Sequence, residues 1–407
     1  MTPTIFPNAP ERSTYDVVII GGAIMGSSAA WFLSQNPDFD GNILVVEKDP
    51  TYEFSSTMAT NSCMRQQFSA GLNIQISQFA AEFVQNMRSF MGDDPDVPEL
   101  KIHNFGYMYL ADTDDFADVL RENLAVQKQY GAKTKIMTPD EIITDYPFYN
   151  VDDIVLGSLN THNEGYWEGI TVFDWWRKKA RQNGVEYIQN EVILMARNQS
   201  GSKIESITLK SGEIISCGNV INASGPRAIE TTRMAGFELP VEPRKRYTWV
   251  FSAENPLDRD LPLTIDPSGV HFRQDGTSLY MAGGHNEIDP AVAYDDFEMD
   301  HNLWVDHIWP VLATRIPQFE AIKVVREWAG HYAYNAFDHN AILGPHTEVD
   351  NFFFLNGFSG HGLQQSPAMG RGTSELITYG EYKTLDLTPF HFERIVKDTP
   401  LIEKAVI

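Results

Sequence analysis

The sequence predicts an α/β fold: a discontinuous dinucleotide-binding domain on a buried parallel sheet, with an inserted substrate domain built on a mixed, largely antiparallel sheet. Two observations predict it. Short β-branched or aromatic runs that end in glycine turns lie near both ends of the chain, at 15–20 and 351–356. Between them, from 244 to about 280, the chain is strand-like and rich in Pro, Asp and aromatics. Wholly apolar short strands belong to sheets covered on both faces, whereas alternating ones have one face open. A length of 407 residues suits two packed domains better than one core. The expected division gives 1–95, 151–235 and 325–407 to the dinucleotide-binding domain, and 96–150 and 236–324 to the substrate domain.

The elements follow in order. The run Tyr15-Asp16-Val17-Val18-Ile19-Ile20 reads as a buried strand, residues 24–34 as a helix, and Ile43-Leu44-Val45-Val46 as a second strand ending at Glu47. Strand, glycine turn, helix and strand make one βαβ unit. Residues 72–90 and 170–183 read as helices, the second ended by Gly184. From 192 to 215 short alternating strands turn at Ser200-Gly201 and Ser211-Gly212. Residues 219–222 form another buried strand, and 351–356 lead into a glycine loop and a helix over 366–377.

Composition narrows the class. A net charge of -24, from 55 acidic and 31 basic side chains, repels nucleic acid and anionic membranes. Two cysteines, Cys63 and Cys217, support neither a disulfide framework nor a Cys-rich zinc site, and no metal is expected. The first residues lack the apolar core of a signal peptide, and no apolar run approaches the roughly 20 residues of a spanning helix. The expectation is a soluble, cytoplasmic protein that is not integral to a membrane.

Two glycine loops carry the chemistry. In Gly21-Gly22-Ala23-Ile24-Met25-Gly26, a strand enters a helix through the dinucleotide fingerprint, with Ala23 at the middle glycine position. The helix N-terminus favours a pyrophosphate, and Glu47 stands where a carboxylate binds ribose hydroxyls. This is the Rossmann pattern. In Gly357-Phe358-Ser359-Gly360-His361-Gly362-Leu363-Gln364, three glycines in six residues at a helix start can aim several N–H groups at an anion-like acceptor.

Together with Val220-Ile221-Asn222-Ala223-Ser224-Gly225 and Glu327-Trp328-Ala329-Gly330, these loops resemble the D-amino-acid oxidase superfamily, which includes sarcosine oxidase, glycine oxidase and dimethylglycine dehydrogenase. The stretches 65–69, 241–247, 334–338 and 385–390 further resemble its subfamily of FAD-dependent oxidoreductase domain-containing proteins linked to complex I assembly. The resemblance implies FAD, a two-domain fold and oxidation of a C–N bond. It implies a cofactor cradle of Gly21 to Gly26 (Gly22, Ala23, Ile24 and Met25 between), Glu47, Lys48, Ser55, Ser56, Thr57, Arg65, Gln66, Gln67 and Val192. Ala223, Ser224, Gly225, Gly330 and the loop Gly357, Phe358, Ser359, Gly360, His361, Gly362, Leu363 and Gln364 complete it.

Departures from the family pattern shape the rest. The sarcosine oxidase cysteine that tethers flavin is Gly330 here, and the histidine of dimethylglycine dehydrogenase has no counterpart in Ser55 to Ala59. Dissociable FAD is therefore expected, with Cys63 the one alternative tether. The carboxylate-clamping arginine of glycine oxidase falls at Tyr332, and the clamping lysine of sarcosine oxidase at Gln364. Arg65 matches the remaining anchor, and a guanidinium suits a carboxylate. His331, Tyr332, His361, His285 and Tyr280 are further pocket candidates. The lysine that promotes oxygen reactivity is missing, since no lysine occurs between Lys245 and Lys323. The expected reaction is hydride transfer to flavin N5 from a small secondary (N-alkyl or cyclic) amine or amino acid, with an electron acceptor other than or besides oxygen. The alternatives are a flavin-binding assembly protein with little turnover and a 2-hydroxy-acid dehydrogenase.

Overall fold

The computed structural model describes residues 6–404. Among them, two eight-stranded sheets and a two-stranded ribbon organise the chain. In the first sheet, Thr14–Ile20 lies between Ile43–Glu47 and Ile214–Asn222, parallel to both. Glu186–Gln189 and Phe352–Asn356 extend it, again in parallel, on either side. Val17, Val18 and Ile19 have no exposed surface, as expected of a strand covered on both faces. The two alternating strands Val192–Arg197 and Ile204–Leu209 form an antiparallel flap on Ile214–Asn222. The end of the alternating stretch, at 214–215, and the buried run at 219–222 are one nine-residue strand, Ile214–Asn222, paired with the flap at one end and with the parallel sheet along it.

The first helix, Ile24–Gln35, is buried on nearly every side between helices Gly362–Tyr379 and Gly169–Gln182. Contact with Gly362–Tyr379 is close because Gly370 has no side chain: a Cβ there would lie 2.0 Å from Ser28 Oγ. Toward Gly169–Gln182, Trp31 stacks on Trp176 at 6.2 Å. Each such buried ring contributes on the order of 3 kcal/mol. The helix expected over 72–90 breaks at Asn86 into Gly71–Gln85 and Met87–Phe90. The C-terminal helix is longer than expected and contains Pro367 in its first turns. No helix among the described residues is long and apolar enough to cross a membrane.

The second sheet runs Ile322–Asn335, Val241–Ala253, Leu279–Gly284, His271–Asp275, Leu263–Ile265, Tyr107–Ala111, Leu156–Asn160, Lys135–Met137. It is antiparallel except where Leu263–Ile265 runs beside Tyr107–Ala111. Sheet membership corrects two expected boundaries. Leu156–Asn160 and Ile322–Asn335 both belong to this sheet, so divisions at 151 and 325 cut through it. The first strand includes Gly157, Ser158 and Asn160, and its burial comes from neighbours rather than from an apolar pattern. One face of the sheet packs on its own core (Trp249, Phe251, Phe272 and Tyr280), and the other faces the first domain.

Candidate active site

A cavity of ≈ 790 Å³ runs from the first glycine turn to the C-terminal glycine loop, under the second sheet. At its first end, Gly21 adopts φ +98, and a Cβ on Gly26 would lie 1.9 Å from Gly21 O. The turn therefore needs both glycines, one for conformation and one for close packing. Ala23 heads the first helix without a side-chain cap, and Ile24 N–H donates to Thr57 Oγ1 at 3.2 Å. Glu47 accepts from Gly22 N–H at 2.7 Å and Asp49 N–H at 2.8 Å. Desolvation pushes its carboxyl up to about 7. Lys48 turns to Glu191 at 2.7 Å.

At the other end, Ser359 zips the second glycine loop to the strand Ile322–Asn335: its N–H donates to Ala333 O (3.0 Å) and its Oγ accepts from Asn335 N–H (2.9 Å). Gly360, at φ +94, lies under the Tyr332 ring, where a Cβ would sit 2.5 Å from a ring carbon. Arg65 is buried in the cavity wall. Its guanidinium donates to His361 Nε2 at 2.8 Å and Gln67 O at 3.2 Å, and lies 4.3 Å from the Phe68 ring centroid. Because arginine only donates, His361 Nε2 is the acceptor and the ring is neutral. Burial, then the Arg65 charge, push that imidazole down to about 3. Gln364 is committed as well, its Oε1 accepting Arg65 N–H at 2.8 Å.

Most of the residues named from sequence border this cavity, among them Ser55, Ser56, Val192, Ala223, Ser224, Gly225, Phe358 and Leu363. Gly22, Gly26 and Gly357 sit behind it, shaping the turns. Gln66 and Gln67 are corrections. Gln67 Nε2 donates to Tyr107 O and Glu164, and Gln66 Nε2 to His162 O, so both amides are consumed in the protein interior. Tyr280 and His285 are corrections too. Tyr280 stacks on Phe251 in the sheet's own core, and His285 lies past the end of its strand with Nδ1 at 2.7 Å from Asn286 O. His331 borders the cavity but holds Asp296 O through Nε2 at 2.8 Å and stacks on Phe297.

Strand parity presents other groups instead. Arg246, Thr248 and His271 face the cavity, while Trp249 and Phe272 point into the core. Thr248 and His271 flank Gly283 in the sheet, where a Cβ would meet His271 Nε2 at 2.6 Å. His271 Nε2 lies 2.9 Å from Asn61 Nδ2, and desolvation pushes its imidazole down to about 4. Arg246 is held bidentately by Asp289, both contacts at 2.8 Å, and its guanidinium carbon lies 4.8 Å from the Tyr332 ring centroid. The signal for these residues was their spacing at 246 and 248, which only the sheet register can interpret.

The cavity suits a flavin dinucleotide. One end offers an uncapped helix start and a carboxylate, the other a glycine loop at the head of an 18-residue helix. Among the buried polar atoms without a partner in the described residues, three belong to cavity-wall residues at the two ends: Tyr52 OH beside the turn, and Asn61 Oδ1 and His271 Nδ1 beneath the sheet. At the expected tether position, a side chain on Gly330 would lie 2.4 Å from Ala59 Cβ.

Comparison with known proteins agrees. The family model "DAO: FAD dependent oxidoreductase" matches residues 16–376. FAD-dependent oxidoreductase domain-containing protein 1 of Xenopus laevis is 37% identical, over 98% of this chain and 85% of that protein. Mitochondrial sarcosine dehydrogenase of Mus musculus is 22% identical over 95% of this chain and 42% of that protein. The crystal structure of L-proline dehydrogenase from P. horikoshii superposes with a TM-score of 0.82 at 24% identity, covering 97% of this chain and 100% of that one, which shows a shared fold. The chain belongs to the DAO family of FAD-dependent oxidoreductases, with FAD as its cofactor.

Proposed function

We propose that this protein oxidises a small secondary amine or amino acid, N-alkyl or cyclic, to an imine that water then hydrolyses. Bound FAD would supply the acceptor for the hydride, two electrons and one proton, leaving the carbon beside nitrogen. The observation that carries this reading is Arg65, a rigidly held guanidinium in the cavity wall next to the C-terminal glycine loop. There it anchors a carboxylate, and Tyr332, seated on Gly360, limits the pocket. His361 is locked as a neutral acceptor and His331 is engaged by Asp296 O, so neither serves as a strong base. The substrate amine accordingly binds deprotonated, which a desolvated pocket favours. Orientation then does most of the catalytic work.

Dehydrogenase action, with an acceptor other than or besides oxygen, is supported by the same wall. Lys245, the last lysine before 323, pairs with Asp296 at 2.6 Å, and the sheet offers Thr248 and His271 to the cavity. Both cysteines are free, in keeping with a cytoplasmic setting. His271 also favours a second reading, oxidation of a 2-hydroxy acid, because a neutral imidazole can accept a hydroxyl proton. The test is anaerobic bleaching of the flavin's visible absorbance by a panel of N-alkyl and cyclic amino acids and 2-hydroxy acids, with dye reduction compared to oxygen uptake. Bleaching by amino acids, with dye reduced faster than oxygen, is expected. Bleaching by hydroxy acids alone would shift the assignment to the second reading, and a flavin that no compound bleaches would favour an assembly role.

A further inference from the structure

The segment that follows Arg65 is held by two buried carboxylates from distant parts of the chain. Glu164, with no exposed surface, accepts Gln66 N–H at 2.6 Å, Gln67 Nε2 at 3.0 Å and Asn160 Nδ2 at 2.8 Å. Glu403, 9% exposed, accepts Ser69 N–H, Ala70 N–H at 3.3 Å and Asn73 Nδ2 at 3.0 Å. Residues 66, 67, 69 and 70 thus all donate to one carboxylate or the other. The strap that brings Glu403 is itself fastened: Leu401 N–H donates to Asp338 Oδ2 at 3.0 Å, and Leu401 O accepts from Asn340 Nδ2 at 2.7 Å. Lys404 N–H donates to Ser69 Oγ at 2.9 Å.

Burying carboxylates is costly, and an apolar filling of the same space would stabilise the protein at least as well. What carboxyl acceptors contribute is a directional hold on the peptide groups they bind. The segment they hold carries Phe68 against the Arg65 guanidinium and Gln67 O as its acceptor. On its far side the guanidinium meets His361 of the flavin loop.

We propose that Glu164 and Glu403 are positioning residues that clamp segment 66–70 and thereby set the Arg65 guanidinium against His361 for recognition of the substrate carboxylate. This rests on Arg65 being the carboxylate anchor. Glu403 also stands at the start of the uncapped helix Gly71–Gln85, so a merely structural role predicts loss of melting temperature without loss of recognition.

The experiment uses holoenzyme and the variants Glu403→Ala, Glu403→Gln, Glu164→Ala and Arg65→Lys. The probe is pyrrole-2-carboxylate, an aromatic and unoxidisable analogue of a cyclic amino acid, titrated by its perturbation of the flavin spectrum. The second readout is the 15N resonance of His361 Nε2, which reports the Arg65 hydrogen bond without any ligand. Glu403→Ala and Glu164→Ala are expected to weaken the probe about tenfold, the scale of one buried hydrogen bond, and to shift the His361 resonance. Glu403→Gln, which keeps an acceptor oxygen, should recover part of both. Wild-type Kd and an unmoved His361 resonance in both clamp variants would overturn the clamp, whatever their melting temperatures. If instead the clamp variants move His361 while Arg65→Lys and wild type show the same affinity for the probe, the clamp stands and the anchor reading of Arg65 fails.

Discussion

Arg65 and His361 form a buried hydrogen-bonded pair in the cavity wall, and each constrains the other. Burial, and then the arginine, keep the imidazole neutral, and the imidazole holds the guanidinium edge in place. Replacing Arg65 with Lys keeps a charge but removes the fork, so KM for a carboxylate substrate should rise about 10- to 100-fold, with kcat less affected. Steady-state kinetics with whichever amino acid bleaches the flavin would check this. Gly360→Ala should act through Tyr332, because the new methyl meets its ring at φ +94. About 1–3 kcal/mol of destabilisation is expected, read as a lower melting temperature and looser flavin retention.

Among the elements, the strand–turn–helix units at the two ends behaved as their sequences promised, while the strands of the second sheet did not declare which face they show. Leu279–Gly284 illustrates the difficulty. Tyr280 and Met281 are both apolar enough to be buried, and a one-residue change of parity exchanges core for cavity. Pairing with Val241–Ala253 puts Tyr280 opposite Phe251 and therefore into the core, and puts Gly283 beside His271 on the cavity side. The loop carrying Glu164 offers a pH test at this scale. Burial raises that carboxyl from 4.5 to about 8, so the folded state binds its proton more tightly than the unfolded state. Its contribution to stability is full below about 4.5 and is lost as pH rises through about 8. Glu164→Gln should therefore gain on wild type between pH 5 and pH 8 in urea midpoint. A difference that stays constant with pH would show that the group does not titrate in that window.

For the molecule as a whole, the cavity lies between the two sheets, so FAD should tie the domains together. Adding FAD to apoprotein should raise the melting temperature in a concentration-dependent way, by about 2.7 kcal/mol of stability at 100 times Kd. Acid precipitation of holoprotein should release the flavin into the supernatant, because Gly330 has no room for a tethering side chain. Flavin left in the pellet would point to Cys63, which borders the cavity and whose thiol burial pushes up to about 11.

What the sequence determined by itself is local. The fingerprint Gly21 to Gly26 and its partner Glu47 lie within one βαβ unit, where spacing along the chain dictates spacing in space, and the glycine loop at 357–362 is likewise read from contiguous residues. That end of the cavity was therefore legible. The end of the cavity under the second sheet was decided only in three dimensions. Arg246, Thr248 and His271 reach the cavity through sheet register, and Gln66 and Gln67 are drawn away from it by Glu164, 98 and 97 residues onward. Strand parity and the partners of buried carboxylates depend on long-range contacts, and no pattern in a single stretch of chain encodes them.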